Sequence, residues 1–259
     1  MRERTERRER LMAGKELRKD ACLIVPCYRH VEPLLESLER LRARGMLVIV
    51  VDDGNAPEES AKLAVAASES VMILRNEENL GKGASVIRGF QKAAELGFTY
   101  AVQIDADGQI DTGGIADVLA ASEKSPGSLV YGVPVYDRSV NRLRFVSRYI
   151  THFWVAVELG RWAIIDTMCG LRLYPLKETL EICGKHRLGA RMDFDTEIFV
   201  RLCWAGVKDV PVPVKVRYIE NGVSNFDVLR DNVRISWMHT RLIYEKCLSG
   251  LLRLLGIRR

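Results

Sequence analysis

Two aspartates separated by one residue end an apolar segment near the middle of the chain. The segment 100–107 reads as a buried strand that finishes in Asp105 and Asp107. Side chains at i and i+2 of an extended segment point the same way, so both carboxylates are expected to face one small space. Hard oxygen ligands suit Mg2+ or Mn2+, ions that often share their coordination with substrate phosphates. The motif therefore predicts a metal ion that holds a phosphate-bearing substrate.

Two further motifs follow neighbouring apolar segments. Asp52 and Asp53 precede a glycine, where paired acids can accept hydrogen bonds from a nucleobase or ribose, although an ordinary Asp-Gly turn explains them equally well. Lys82 and Gly83 open a predicted helix, and a helix N-terminus favours anions. The glycine spacing around Lys82 matches neither the dinucleotide-binding fingerprint nor the P-loop, which counts against both kinds of site.

A second group of acids lies downstream. A D-x-D pattern arises by chance about once in a chain of this length, and Asp193 and Asp195 form another one, with Glu197 two residues later. Closely spaced carboxylates of this kind can serve as general bases. The alternative is that these acids cap the helix that follows them, where Asp and Glu are preferred.

Strand and helix patterns alternate from Ala21 onward. Short apolar segments read as strands, and segments with apolar residues at helical spacing separate them. Strands are predicted at 22–26, 46–53, 71–76, 100–107, 129–135 and 168–175, and helices at 31–44, 57–68, 82–96, 111–123 and 194–205. The alternation predicts an α/β fold with a doubly wound, mostly parallel sheet flanked by helices.

Composition fits one large domain with charged ends. The chain has 259 residues, of which 47% are hydrophobic, and no apolar run approaches the roughly 18–20 residues that span a bilayer. No secretory signal is visible, and the six cysteines lack metal or disulfide spacing, which favours a cytoplasmic protein. The expected organisation is a charged tail at 1–20, a catalytic domain at 21–226 and basic amphipathic helices at 227–259.

The net charge of +5 resides at the two ends of the chain. Residues 1–20 carry eight Lys/Arg and five Asp/Glu, and residues 241–259 carry five Lys/Arg and one Asp/Glu, so the body is slightly acidic. An acidic body argues against nucleic-acid binding, whereas the C-terminal segment predicts contact with an anionic membrane surface. The alternative is a helix that packs on its own domain. Its predicted apolar stripe consists of Leu242, Ile243, Cys247, Leu248, Leu251, Leu252 and Leu255.

The order of the motifs resembles glycosyltransferase family 2, which has the GT-A fold, and within it the dolichol-phosphate mannose synthase-like branch. The resemblance covers about residues 21–225 and rests on the segments 25–28, 51–54, 79–83, 103–109 and 169–174. It implies a nucleotide-sugar donor and a divalent cation, Mg2+ or Mn2+. The string from Asp231 to Arg241 is similar to bacterial members associated with lipid and aryl-polyene pathways.

The resemblance also implies a role for each matching position. The residues that would contact the nucleotide-sugar are Pro26, Tyr28, Asp52, Asp53, Lys82, Gly83, Asp105 and Ala106. Asp105 and Asp107 would hold the metal, with Gln109 as a further ligand. Gly170 and Arg172 match a segment on the acceptor side.

Two departures from the family pattern concern the acceptor. Arg29 stands where the family usually has Asn, and the family segment that grips an acceptor phosphate lacks its Arg and Lys in 218–225. The loss of that basic segment favours a hydroxyl acceptor on a lipid or carrier. So do Asp193, Asp195 and Glu197, which lie where inverting members of the family often have a catalytic carboxylate, and Asp195 is favoured as the general base. The sequence thus predicts a metal-dependent inverting glycosyltransferase, peripheral on the inner face of the cell membrane, whose oligomeric state the sequence does not specify. The alternatives are a polyprenyl-phosphate sugar synthase and a non-catalytic nucleotide-sugar binding module.

Overall fold

The computed structural model describes residues 18–109, 111–135, 142–162, 166–216 and 225–255. Most of the predicted tail at 1–20 and the segment 217–224 lie outside these residues. Within them, the strands are β1 (Ala21–Cys27), β2 (Val48–Asp53), β3 (Val71–Asn76), β4 (Tyr100–Gln103), β5 (Leu129–Val135), β6 (Arg172–Pro175) and β7 (Asp209–Lys215). The helices are α1 (Val31–Arg42), α2 (Pro57–Val65), α3 (Lys82–Glu95), α4 (Gly113–Lys124), α5 (Arg142–Leu159), α6 (Leu176–Lys185), α7 (Phe194–Trp204) and α8 (Val228–Leu254).

The seven strands form one mixed sheet in the order β3-β2-β1-β4-β6-β5-β7. The neighbours among β1 to β4 are parallel, as is the pair of β5 and β7, whereas β6 runs antiparallel to β4 and β5. All six residues of β2 are buried, as expected for a strand covered on both faces. The predicted α/β fold with a mostly parallel sheet is confirmed.

Apolar cores lie on both faces of the sheet. On one face, side chains of α1, α2 and α4 such as Leu34, Leu63 and Ile115 pack against the strands. On the other face, α3, α6 and α7 contribute residues such as Phe90 and Phe199. The helices fix the sheet between two layers, so the carboxyl ends of β1, β2 and β4 are held at one edge of the molecule.

The strand that leads into the aspartate pair is shorter than predicted. β4 ends at Gln103, one more ladder bond follows from the Ile104 amide to the Ile24 carbonyl, and Ala106 and Asp107 lie in a turn. The prediction that the strand continues through Asp107 is therefore wrong. The turn closes at Gly108, whose φ of +70° is in the region that favours glycine.

Helix α8 has apolar side chains on two opposite faces. Met238 and Leu242 are buried against the body, whereas Val233, Trp237 and Leu251 are each more than half exposed on the far side. The predicted single stripe is wrong in this respect, because Leu242 faces the core while Leu251 faces solvent. None of the helices in the described ranges is long and apolar enough to cross a membrane.

Helix α8 is also joined to α7 by ion pairs. The Arg201 guanidinium donates to both carboxylate oxygens of Glu245, at 2.8 and 2.9 Å. Together with the burial of Leu242, this pairing places α8 in the same packed unit as the sheet. The division of the chain at 226/227 stays a prediction.

Candidate active site

The carboxylates of Asp105 and Asp107 lie together at the carboxyl end of β4. Burial raises the pKa of Asp107, and the nearby charge of Asp105 raises it further. The backbone amide of Gln109 and the charge of Lys82 lower the pKa by smaller amounts. The Gln109 amide donates to Asp107 Oδ1 at 3.0 Å. The predicted juxtaposition therefore holds, although a turn produces it instead of an extended strand.

Oxygen donors of this kind fit a divalent cation. Two carboxylates that repel each other in a half-buried turn are relieved by a cation between them. Among the described residues, no group of three or more His, Cys, Asp and Glu forms a complete metal cage. Such a partial site suits an ion whose remaining ligands come from a bound diphosphate and water.

Lys82 bridges this pair to the downstream acids. Its Nζ lies 2.7 Å from Asp105 Oδ1 and 2.8 Å from Asp195 Oδ2, and its side chain is only 15% exposed. Burial acts to lower the pKa of Lys82, but the Asp105 and Asp195 carboxylates outweigh it and raise the pKa. The first residue of α3 thus supplies a fixed positive charge between two acidic groups.

Asp195 belongs to a buried polar network beneath the site. Gln103 donates to Asp195 Oδ1 at 3.0 Å, and the Tyr174 hydroxyl donates to Gln103 Oε1 at 3.2 Å. Burial acts to raise the pKa of Asp195, yet the charges of Lys82 and Arg172 prevail and lower it. The carboxylate is therefore held ionised at the bottom of the site.

Arg172 is fully buried beside this network. Its guanidinium donates to the backbone carbonyls of Thr167, Cys169 and Asp195, and so fixes the segment before β6 to the start of α7. The Arg172 side chain has no exposed surface, and all three of these acceptors are backbone carbonyls. The predicted acceptor-side contact stays untested, and the observed role of Arg172 is to position neighbouring backbone.

Gly170, the other residue predicted on the acceptor side, lies directly against Asp105. A Cβ built on Gly170 would lie 2.0 Å from Asp105 Oδ2, which leaves room for hydrogen only. Gly83 is a second close contact, because a Cβ there would lie 2.5 Å from the Cβ of Phe194. Ala106 is 5% exposed. The roles predicted for Gly83 and Ala106 toward the nucleotide-sugar stay predictions.

The other two candidate bases are engaged with the protein. Glu197 is 0% exposed and accepts hydrogen bonds from Arg201, Arg241 and the Gly189 amide. Asp193 precedes the first residue of α7 and accepts from the Arg191 amide at 3.2 Å. Asp195 is the one of the three that shares an ion pair to Lys82 with Asp105.

The acids at the end of β2 organise neighbouring loops. Asp53 is 2% exposed and accepts four hydrogen bonds from the side chains of Asn76 and Asn79 and the amides of Leu80 and Gly81. This number fills the acceptor capacity of a carboxylate. The predicted contact with a nucleobase stays untested, and the observed role of Asp53 is to hold the loop that leads to Lys82.

Asp52 is similarly occupied. It is 1% exposed and accepts from the Asn55 amide, the Asn55 side chain and the Ser60 hydroxyl, with Arg75 at 3.7 Å. The base-reading role predicted for Asp52 likewise stays a prediction.

The loop after β1 borders the metal carboxylates. Pro26 and Tyr28 are half-buried at the end of β1, and Asn225 donates to the Tyr28 carbonyl at 2.8 Å. Arg29 has a φ of +59°, in the left-handed region that Asn tolerates better than Arg. Arg29 therefore adopts this turn at a conformational cost.

Three residues near the site were given no functional role from the sequence. Gln103 holds Asp195, the charge of His30 acts on Asp107, and Asn225 approaches His30 Nδ1 at 3.1 Å. Gln103 carried a usable signal, since an amide inside an otherwise apolar strand requires a buried partner. His30 and Asn225 are 195 positions apart in the chain, and only the fold brings them together.

Comparison with known proteins agrees with this arrangement. Residues 22–194, more than half of the chain, match the family described as glycosyl transferase family 2. An undecaprenyl-phosphate mannosyltransferase of Micrococcus luteus is 28% identical over 74% of this chain and 81% of its own length. A UDP-N-acetylglucosamine–dolichyl-phosphate N-acetylglucosaminyltransferase of Methanococcus voltae is 24% identical over 76% of this chain and 86% of its own.

The fold recurs in a solved enzyme structure. Glucosyl-3-phosphoglycerate synthase from Mycobacterium tuberculosis superposes with a TM-score of 0.57 at 16% identity, covering 97% of this chain and 84% of that one. At this identity the likeness speaks for the fold alone, and it confirms the predicted GT-A architecture. With the family match and the named relatives, it follows that the chain is a glycosyltransferase and belongs to glycosyltransferase family 2, in its dolichol-phosphate mannose synthase-like branch.

Proposed function

We propose that this glycosyltransferase is metal-dependent and inverting, and that it moves a sugar from a nucleotide-sugar to a membrane-associated lipid or carrier-linked acceptor. One observation carries the proposal: Asp105 and Asp107 meet at the carboxyl end of a parallel strand, with the Lys82 ammonium 2.7 Å from Asp105. Two carboxylates and one cation at such an edge suit a diphosphate held through a divalent ion.

The reaction follows from the charges around that site. The acceptor oxygen forms its bond to the anomeric carbon from the face opposite the departing diphosphate oxygen, and the configuration at that carbon inverts. The metal, when bound by Asp105 and Asp107, would supply Lewis-acid stabilisation of the leaving group. Lys82 contributes a second positive charge to the nucleoside diphosphate that leaves.

For a hydroxyl acceptor, Asp195 takes the proton. Its carboxylate lies on the same ammonium as Asp105, so it borders the space where donor and acceptor meet. The charges of Lys82 and Arg172 lower its pKa and keep it ionised, and loss of the ion pair with Lys82 would raise that pKa and make Asp195 a stronger base. Glu197 is less suited because it is fully buried and paired with Arg201 and Arg241, and Asp193 stays the second candidate.

A polyprenyl phosphate is the second candidate acceptor. It is favoured by the names of the relatives, which act on undecaprenyl phosphate and dolichyl phosphate. A phosphate is already anionic and requires no base, which agrees with the ion pairing of Asp195. The absence of the family's Arg and Lys from the sequence 218–225 speaks against this acceptor.

The apolar face of α8 supports contact with a membrane surface. Trp237 is 67% and Tyr244 66% exposed on the side away from the body, and aromatic side chains of this kind favour the lipid–water interface. A peripheral position at the cytoplasmic face would bring a lipid acceptor to the enzyme. This location is part of the proposal.

A thermal-shift panel tests the donor site. UDP, GDP, dTDP and their sugars are added with Mg2+ or Mn2+, and a ligand at 100 times its dissociation constant should add about 2.7 kcal/mol. For a chain of this size that corresponds to a rise in Tm of roughly 5–10 °C. We expect one nucleotide to stabilise the protein only with metal, and the effect to disappear in Asp107→Ala.

Turnover separates the catalytic proposal from a binding module. The selected nucleotide-sugar is incubated with a lipid extract and, separately, with undecaprenyl phosphate. Product in the extract supports the lipid-acceptor reading, and product with undecaprenyl phosphate alone supports the synthase. Binding without product in either reaction would contradict both and leave a non-catalytic module.

A further inference from the structure

The two oxygens of Asp105 have different surroundings. Lys82 Nζ lies 2.7 Å from Oδ1, and solvent does not reach that oxygen. Gly170 lies against one side of Oδ2, which a Cβ would approach to 2.0 Å, while the side chain as a whole is 26% exposed. A metal ion can therefore reach Asp105 Oδ1 only if the Lys82 side chain moves.

The ammonium that blocks Asp105 is strongly held. Lys82 also lies 2.8 Å from Asp195 Oδ2, and this second carboxylate is itself fixed by the amide of Gln103. The Lys82 ammonium lies between two carboxylates, of which Asp195 is buried and Asp105 is partly exposed, and both attract it. The block is thus a matter of charge as well as space.

We propose that Lys82 is an internal cation that occupies Asp105 Oδ1 in place of the metal until a diphosphate draws its ammonium away, so that metal and nucleotide bind cooperatively. The proposal deepens the donor site of the proposed function and rests on it. Lys82 then determines that the metal binds tightly only together with the nucleotide, in addition to contacting a phosphate.

Electrostatics gives the coupling its direction. A divalent ion and an ammonium on one carboxylate oxygen repel each other, so the ion binds weakly while Lys82 stays in place. A diphosphate offers Lys82 a new anionic partner and offers the metal further oxygen ligands. Each ligand then raises the affinity of the other by the same factor, because the coupling free energy is reciprocal.

The same movement changes the surroundings of Asp195. When Lys82 turns to a diphosphate, Asp195 Oδ2 loses its ion pair while Oδ1 keeps the hydrogen bond from Gln103. The candidate base is therefore shielded before the donor binds and exposed to an acceptor afterwards.

Manganese binding without nucleotide tests the block directly. Free Mn2+ is followed by electron paramagnetic resonance during titration of the wild type and of Lys82→Met and Lys82→Gln, which remove the charge. We expect at least tenfold tighter Mn2+ binding in both neutral variants. Lys82→Arg retains the charge and should stay within about threefold of the wild type. Lys92→Met is the matched control, because Lys92 lies on the same helix and pairs with the exposed Glu95.

Addition of UDP or GDP tests the cooperativity. The nucleotide that binds should tighten Mn2+ binding at least tenfold in the wild type and less than about threefold in Lys82→Met. Circular dichroism verifies that each variant is folded before Mn2+ binding is measured. If Lys82→Met does not fold, Lys82→Gln replaces it.

Any one of three results would overturn the inference. The first is that the neutral variants bind Mn2+ no more tightly than the wild type. The second is that Lys82→Arg gains as much Mn2+ affinity as Lys82→Met, and the third is that Lys82→Met keeps its gain in Mn2+ affinity when Asp105→Asn is added. A loss of the proposed function alone looks different: the neutral variants would gain Mn2+ affinity while no nucleotide-sugar is turned over.

Discussion

Gly170 and Asp105 lie opposite each other across the antiparallel pair of β6 and β4, at the point where both strands meet the site. Gln103, the last residue of β4, pairs with Arg172, the first residue of β6. Because the strands are antiparallel, Asp105, two residues after β4, lies opposite Gly170, two residues before β6. The carboxylate is pressed against the glycine, with 2.0 Å between its Oδ2 and the position of a Cβ. The antiparallel strand thus sets the position of the first metal carboxylate.

Gly170→Ala should therefore damage the site. The added methyl group clashes with a carboxylate that Lys82 holds on its other side, so Asp105 must shift. Displacing a metal ligand by about 1 Å is expected to lower kcat/KM by roughly 10²-fold, and overpacking to cost about 1–3 kcal/mol of unfolding free energy. Metal-dependent nucleotide stabilisation in the thermal-shift panel measures the loss.

Gly184→Ala is the matched control for this substitution. Gly184 lies in α6, has an ordinary helical conformation and has no atom within 4 Å of an added Cβ. Alanine there should leave nucleotide binding unchanged and add up to about 1 kcal/mol of stability. Equal loss of nucleotide binding in both variants would mean that the effect of Gly170→Ala is not local to Asp105.

Neutral substitutions of the three acids of 193–197 should have different effects on catalysis and stability. Asp195→Asn removes the proposed base and is expected to lower kcat with a hydroxyl acceptor by roughly 10²- to 10⁴-fold. Glu197→Gln should instead cost about 3 kcal/mol of unfolding free energy, because Glu197 is fully buried between Arg201 and Arg241. Asp193→Asn should change both quantities little.

Steady-state kinetics and urea unfolding of the same three proteins provide the comparison. A fall in kcat for Asp195→Asn of less than tenfold, with KM unchanged, would exclude Asp195 as the base and favour a phosphate acceptor. A larger fall for Asp193→Asn than for Asp195→Asn would transfer the role to Asp193.

Stability should depend on pH in opposite ways at Asp195 and Asp107. The pKa of Asp195 is lowered below its ordinary 3.8, so its contribution to stability is present above that pH and is lost as the pH falls through the folded-state value. The pKa of Asp107 is raised above 3.8, chiefly by burial, so its ionisation costs stability as the pH rises through the folded-state value.

Urea unfolding at pH 7, 5, 4 and 3 measures both effects. At pH 7, Asp107→Asn should be more stable than the wild type by about 1 kcal/mol while losing metal-dependent nucleotide binding. Asp195→Asn should be less stable at pH 7, and the difference should shrink as the pH falls below 3.8. A stabilising Asp195→Asn at pH 7 would contradict the ion pair with Lys82.

The sheet was predictable because its strands are continuous apolar runs. Such runs occur where both faces are covered, and the helices between them carry apolar residues at helical spacing. The end of β4 was not predictable, since the residues of 104–107 continue the strand-like pattern and the turn is set by Gly108 and by contact with Gly170. The apolar pattern of a strand does not reveal at which residue its hydrogen bonds to the neighbouring strands end.

The sequence locates the acids of the candidate site and Lys82, but it does not predict which of these side chains contact each other. Motif positions locate Asp105, Asp107 and Asp195 without showing that one lysine joins Asp105 to Asp195. The place of Asp53 in a motif likewise does not reveal that four protein donors occupy its carboxylate. Hydrogen-bond partners distant in the chain decide these roles.

The outer face of α8 should bind lipid vesicles. Val233 and Trp237 lie one turn apart on that face and are 62% and 67% exposed, so the fold does not depend on them. The double variant Val233→Ser/Trp237→Ser should lower the affinity for vesicles of phosphatidylglycerol and phosphatidylcholine by roughly 10- to 100-fold, because each side chain buries apolar surface in the interface. Co-sedimentation with vesicles measures the affinity.

Val65→Ser is the control for this prediction. Val65 is 86% exposed at the end of α2, on a helix that packs on the opposite face of the sheet from α8, so its loss should leave vesicle binding unchanged. Anionic lipid should also bind more tightly than pure phosphatidylcholine, since α8 carries exposed Arg230 beside the apolar face. Unchanged vesicle binding by the double variant, with a loss of self-association in size-exclusion chromatography, would make this face a contact between copies of the chain instead of a lipid-binding surface.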